Sequence, residues 1–122
     1  MRQPNAYAMD YAHLSLIEHM RMHNGKWPQS WDELSNTCAS SNIGLLSSDP
    51  EFVIRELKQR VEIDWGSDPR QLLRFADEGK PLEGALIRLR SGRRDWFVGS
   101  EPNQKIYEYL KESTESVPKG NR

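Results

Sequence analysis

Apolar residues recur at helical spacing near the start of the chain. Tyr7, Tyr11, Leu14 and Ile17 fall on one face, and Met9, Ala12, Leu16 and Met20 widen it. The spacing predicts a helix over residues 5–23, preceded by Pro4 and ended by the pair Asn24-Gly25. Gly25-Lys26-Trp27-Pro28 then predicts an extended crossing, because a residue before proline is pushed away from helix. Ser30 and Glu33 have the spacing of a capping box, which predicts a helix of one or two turns carrying Trp31 and Leu34. Residues 35–48 are rich in Ser and Asn and read as a loop with small apolar anchors at Ile43, Leu45 and Leu46.

The pattern then changes period twice. Ser48-Asp49-Pro50-Glu51 opens a helix whose Phe52, Val53 and Leu57 face inward. Val61, Ile63 and Trp65 alternate with Glu62 and Asp64, which predicts a half-buried strand ended by Gly66. Asp68-Pro69 opens a short helix over 69–77 with Leu72, Leu73 and Phe75. Residues 84–99 read as a β-hairpin: Ala85, Ile87 and Leu89 alternate with Leu86, Arg88 and Arg90, Ser91-Gly92 turns, and Asp95 to Val98 returns. Residues 102–112 predict a closing helix with Ile106, Tyr109 and Leu110 on one face. A strand competes there, because Tyr107 and Tyr109 also alternate with Ile106, Glu108 and Leu110.

These elements predict an α+β fold: an N-terminal helix packed on a small, mostly antiparallel sheet, with short connecting helices. Residues 1–112 form one domain and residues 113–122 a flexible tail. A hydrophobic content of 36% is modest, but a net charge of −1 with four Trp and four Tyr is unlike a disordered chain. The near-neutral charge gives no general case for nucleic acid or an acidic membrane surface. The single Cys38 excludes an internal disulfide and a four-thiol zinc site. No apolar run is long enough to span a membrane, and residues 1–14 contain no signal-peptide core.

The run Gly25-Lys26-Trp27-Pro28-Gln29-Ser30-Trp31-Asp32-Glu33-Leu34, after an amphipathic helix, resembles the soluble domains of type IV pilin-like proteins and type II secretion pseudopilins. Gly25, Trp27, Pro28, Ser30 and Leu34 carry the resemblance. It implies a helix on a small antiparallel sheet, a role in filament or secretion assembly, and a place outside the cytoplasm with an upstream anchor removed. Without it, the chain reads as cytoplasmic. The family's apolar N-terminal span is not among these residues, nor is an acidic loop near the C-terminus of the kind that binds calcium in some pseudopilins.

Four groups of residues could carry chemistry. Arg88, Arg90, Arg93 and Arg94 cluster on the predicted hairpin beside Trp96, as a row that could grip phosphates with an aromatic to stack on. The competing reading is a solvated face paired with Glu62, Asp64 and Asp95. His19 and His23 stand four apart, the spacing of two metal ligands, with Glu18, Asp32, Glu33 or Cys38 as a third. The alternative is two exposed histidines favoured by a helix C-terminus. Cys38 has no base brought to it by sequence. Trp27, Trp31, Trp65 and Trp96 read as core pieces before a ligand groove. The expected function is a noncatalytic interaction or assembly domain with an unidentified protein partner and no cofactor. The alternative is a small phosphate- or nucleic-acid-binding module on the arginine hairpin, with an enzyme third.

Overall fold

The computed structural model describes residues 4–40, 50–93, 96 and 101–116, and their side chains at 8–37, 54–93, 96 and 101–113. The chain runs α1 (Pro4–Met22), α2 (Trp31–Ser40), α3 (Pro50–Arg60), β1 (Val61–Ile63), α4 (Gln71–Asp77), β2 (Ile87–Leu89) and α5 (Pro102–Ser116). Three of the helices begin at a proline, whose fixed φ suits the first turn and whose missing N–H has no intrahelical partner to lose there.

Helix α1 is the hub: α2, α3, α5, β1 and β2 all pack against it. Its buried stripe is Ala8, Met9, Ala12, Leu16 and Met20. Apart from Ala8, that is the set predicted to widen the apolar face. Leu14, placed at the centre of that face, is 39% exposed, while Tyr11 and Ile17 pack at the margin of the core. Because neighbours enclose α1 on most sides, three of its polar residues, His13, Ser15 and His19, are buried as well. The helix ends in two left-handed residues, Asn24 (φ 57°) and Gly25 (φ 85°), and the Gly25 amide bonds back to the Met20 carbonyl at 2.7 Å.

Helix α2 starts as predicted. Ser30 Oγ accepts the Glu33 amide at 3.3 Å, but Glu33 reaches back to the amide of Gln29, at 3.0 Å, one residue earlier than a capping box prescribes. The helix runs on to Ser40, so residues 35–40 are helical where a loop was predicted. Buried Leu34 and Thr37, packed toward α1 and α3, override the weak helix propensity of Ser, Asn and Thr. Residues 41–49, with Ile43, Leu45 and Leu46, lie outside the described residues, as do the side chains of Phe52 and Val53.

Among the described residues, the strands pair with each other. β1 and β2 are antiparallel, with Val61 opposite Leu89, Glu62 opposite Arg88 and Ile63 opposite Ile87. Asp95 and residues 97–98, assigned to the return strand, lie outside the described residues. At Leu86 and Ile87 the other edge of β2 is occupied by a side chain. Fully buried Asn103 accepts the amides of Leu86 (2.7 Å) and Ile87 (3.0 Å) at Oδ1, and its Nδ2 donates to the Ile87 carbonyl (2.9 Å). An amide side chain thus imitates one residue of a third strand. Trp65, predicted in β1, sits in the following turn and packs edge-on against Trp31, with ring centres 5.1 Å apart. Helix α5 runs to Ser116, past the predicted start of a tail at Ser113, and residues 117–122 lie outside the described residues. No described helix is long and apolar enough to cross a membrane.

Candidate functional site

The link between α1 and α2 forms a corner. The left-handed pair Asn24-Gly25 turns the chain, and Pro28 keeps it extended until Ser30 caps α2. Trp27 points inward, 6% exposed, and its indole N–H donates to the Asp64 carbonyl at 2.9 Å, tying the corner to the end of β1. Beyond Asp64 the Ser67–Arg70 turn comes alongside. Asp68 Oδ1 accepts the Arg70 amide at 3.0 Å, and the Arg70 guanidinium grips both Asp68 oxygens at 3.2 and 3.1 Å. Those Arg70 bonds hold the Asp68 carboxyl below its ordinary value.

An open cleft of about 970 Å³ lies between these two segments and the far part of α5. Trp27, Pro69, Leu73 and Leu110 give it apolar surface, while Lys26 and Arg70 put two cations on it against the one carboxylate of Asp68. The bonds from Arg70 that lower the Asp68 pKa also weaken its carboxylate as a base, and the two side chains form an ion pair on the rim of the cleft. The arrangement can hold an apolar side chain and orient a charged one. Of its residues, sequence reasoning singled out Trp27 and the Gly25 corner. Arg70, Leu73, Leu110 and Ser113 join them only through tertiary packing, although the turn signal Ser67-Asp68-Pro69 marked one wall.

The structure brings together three of the predicted arginine-site residues, Arg88, Arg93 and Trp96. Arg88 Nε donates to Glu62 Oε1 at 3.1 Å, across the strand pair, and another of its nitrogens donates to the Gly84 carbonyl at 3.3 Å. Arg90 donates to the Lys58 carbonyl at 2.7 Å. Arg88, Arg93 and Trp96 line a smaller cavity of about 230 Å³, which they share with the carboxylates of Glu83 and Glu101. Burial, opposed by bonds from Asn103 and Gln104, raises the Glu101 pKa. Arg94 lies outside the described residues. Glu62 is the partner that the solvated-face reading named; Asp64 instead accepts the Ser67 hydroxyl at 2.7 Å.

The histidines differ from both expectations. His23 is exposed, but His19 is only 5% exposed and bonds Thr37 Oγ1 at 2.8 Å. Their rings lie 4.3 Å apart. Among the described residues, no group of three His, Cys, Asp or Glu side chains could hold a metal ion, and the Cys38 side chain lies outside them. Comparison with protein-family models, curated proteins and solved structures finds no match to this chain in any of the three.

Proposed function

We propose that this protein is a noncatalytic interaction domain that docks a protein partner in the cleft at the α1–α2 corner. The observation that carries the reading is the cleft itself: about 970 Å³, built by three separate segments, with apolar walls at Trp27, Leu73 and Leu110 and a basic excess of one charge, from Lys26 beside the Arg70–Asp68 ion pair. A surface with an apolar centre and a charged rim is the common anatomy of a protein-binding patch. The charge balance selects a partner segment with an apolar anchor and an acidic flank. On the resemblance carried by Gly25, Trp27, Pro28, Ser30 and Leu34, that partner is another subunit of a filament or secretion assembly, outside the cytoplasm.

The test is photo-cross-linking from single positions in the cell. A probe at Leu73 or Lys26 captures one protein, and a probe at Arg90, outside the cleft, does not. The captured protein, purified, binds the wild type and binds Arg70→Glu and Leu73→Glu at least tenfold more weakly, about 1.4 kcal/mol or more. Capture from Arg90 alone, or unchanged affinity in both variants, overturns the reading.

A further inference from the structure

One cluster of groups anchors the 24–29 wall of the cleft. His19 Nδ1 and Thr37 Oγ1 are 2.8 Å apart, and the Thr37 hydroxyl donates to the Glu33 carbonyl at 3.5 Å. Nδ1 is thus engaged with Thr37, and Nε2 is the ring nitrogen turned toward Glu33. That nitrogen lies 3.9 Å from Glu33 Oε1. The same oxygen accepts the Gln29 amide at 3.0 Å, which ties down the last residue of the wall. Glu33 Oε1 thus stands between the backbone of the cleft and the imidazole of His19.

We propose that His19 is a proton-operated latch on the cleft: protonation makes the imidazole a cation, which draws Glu33 Oε1 off the Gln29 amide and loosens the Gln29 end of the wall. As a device that regulates docking, it rests on the reading of the cleft as the docking surface. Among the described residues, the charged groups that bear on His19 are His23, at the end of its own helix, and Glu33, from α2; no charged group of α3 or α5 is among them. Burial first, and then His23, hold the His19 pKa below its ordinary value, with Glu33 acting the other way. The latch is therefore closed at neutral pH and opens on acidification below about 6.5, the ordinary histidine value.

The experiment is an amide and imidazole NMR titration of the full chain from pH 7.5 to 5, without any partner. The Gln29 amide is expected to shift with the same midpoint as the His19 ring. Two variants remove that step. Glu33→Gln keeps an acceptor for Gln29 but carries no charge; His19→Asn keeps a donor to Thr37 but does not titrate. If His19→Asn fails to fold, Glu33→Gln decides alone. A Gln29 amide that is still at the His19 midpoint, or that moves identically in the folded variants, overturns the latch. The docking reading is separable. Failed cross-linking with a coupled Gln29 removes docking and leaves the latch, and the converse removes the latch and leaves docking.

Discussion

The α1–α2 corner and strand β2 use polar groups in opposite ways. At the corner, polar groups are few, largely buried, and bonded to one particular atom each: the Trp27 indole to the Asp64 carbonyl, His19 to Thr37. On β2 they are many, exposed, and paired with whatever the adjacent segment offers: Arg88 with the Glu62 carboxylate, Arg90 with the Lys58 carbonyl. A bond in a dry site is specific, and its loss leaves an unsatisfied group; an exposed pair exchanges readily with water. Density of charge along the sequence therefore pointed to β2, while the structure concentrates its specific polar contacts at the corner.

The sharpest way to break this comparison is at Trp27. Trp27→Ala removes a nearly buried ring and the indole bond to Asp64, and is expected to cost about 3–5 kcal/mol. Urea unfolding should show a large drop in midpoint at an unchanged slope. Trp27→Phe separates the two contributions: it keeps an aromatic ring and loses only the bond, for about 1–3 kcal/mol. A loss under about 0.5 kcal/mol in Trp27→Ala would make the corner behave like a surface.

Asn103 extends the buried side of the comparison to β2 itself. Asn103→Ala strips partners from the amides of Leu86 and Ile87 and from the Ile87 carbonyl, all close to the core. The expected loss is about 2–4 kcal/mol, on the scale of unmade bonds at buried groups. Hydrogen exchange at Ile87 should accelerate with it. If Ile87 keeps its protection, another group covers the β2 edge.

What the sequence disclosed divides along the same line. The helix starts at Pro4, Pro50 and Pro102, the Asn24-Gly25 stop and the Ser30 cap were legible, because each is decided within a few residues. The alternation at Val61–Ile63 and Ile87–Leu89 located both strands, but not their pairing with each other across the α4 region. Local turn chemistry at Ser91-Gly92 favoured a hairpin, whose return arm at Asp95 and residues 97–98 lies outside the described residues, and Asn103 bonds the β2 edge at Ile87. No local signal marks an asparagine as a strand mimic. The side of α1 that faces the core was misjudged for a related reason: a helix enclosed by five neighbours has no single apolar stripe to read. At the cleft, Trp27 was legible from its corner. Arg70, Leu73 and Leu110 arrive from segments that sequence proximity does not join.

On acidification from neutral pH, the buried side responds first. His13 is buried with its Nδ1 3.3 Å from the Met9 carbonyl, and burial holds its pKa below the ordinary value, as it does for His19. The unfolded chain then binds more protons than the fold does, so stability falls as pH drops through about 6.5 toward the folded-state values. Urea midpoints should decline between pH 7.5 and 5.5, and the decline should weaken in His19→Asn. Glu101 works in the reverse sense. Its raised pKa means that protonation at still lower pH relieves a burial penalty, so the histidine effect is read above the carboxylate range. A flat profile in the wild type would place both imidazoles in water.

The smallest effects are expected on the exposed face of β2. Arg88 and Glu62 stand opposite each other in register, with both side chains near half exposed at 44% and 47%. A double-mutant cycle on the pair should return at most about 1 kcal/mol, shrinking as salt is added. Arg88→Glu with Arg90→Glu should leave the fold intact, because neither side chain packs in the core. The same double variant decides the alternative function. A ridge that grips nucleic acid gives binding whose logarithm falls with log salt by about 0.7 for each phosphate neutralised on a single strand, and reversal of two charges abolishes it. Arg88 and Arg90 already spend donors on Glu62, Gly84 and Lys58, and Glu83 and Glu101 share the cavity of Arg88 and Arg93. Carboxylates that close to the guanidinium groups repel the phosphates they would have to hold. The expected result is no measurable affinity for single-stranded DNA or RNA at physiological salt, in the wild type as in the variant. A salt-dependent slope that disappears in the double variant would move the functional surface from the corner to β2 and reverse the comparison.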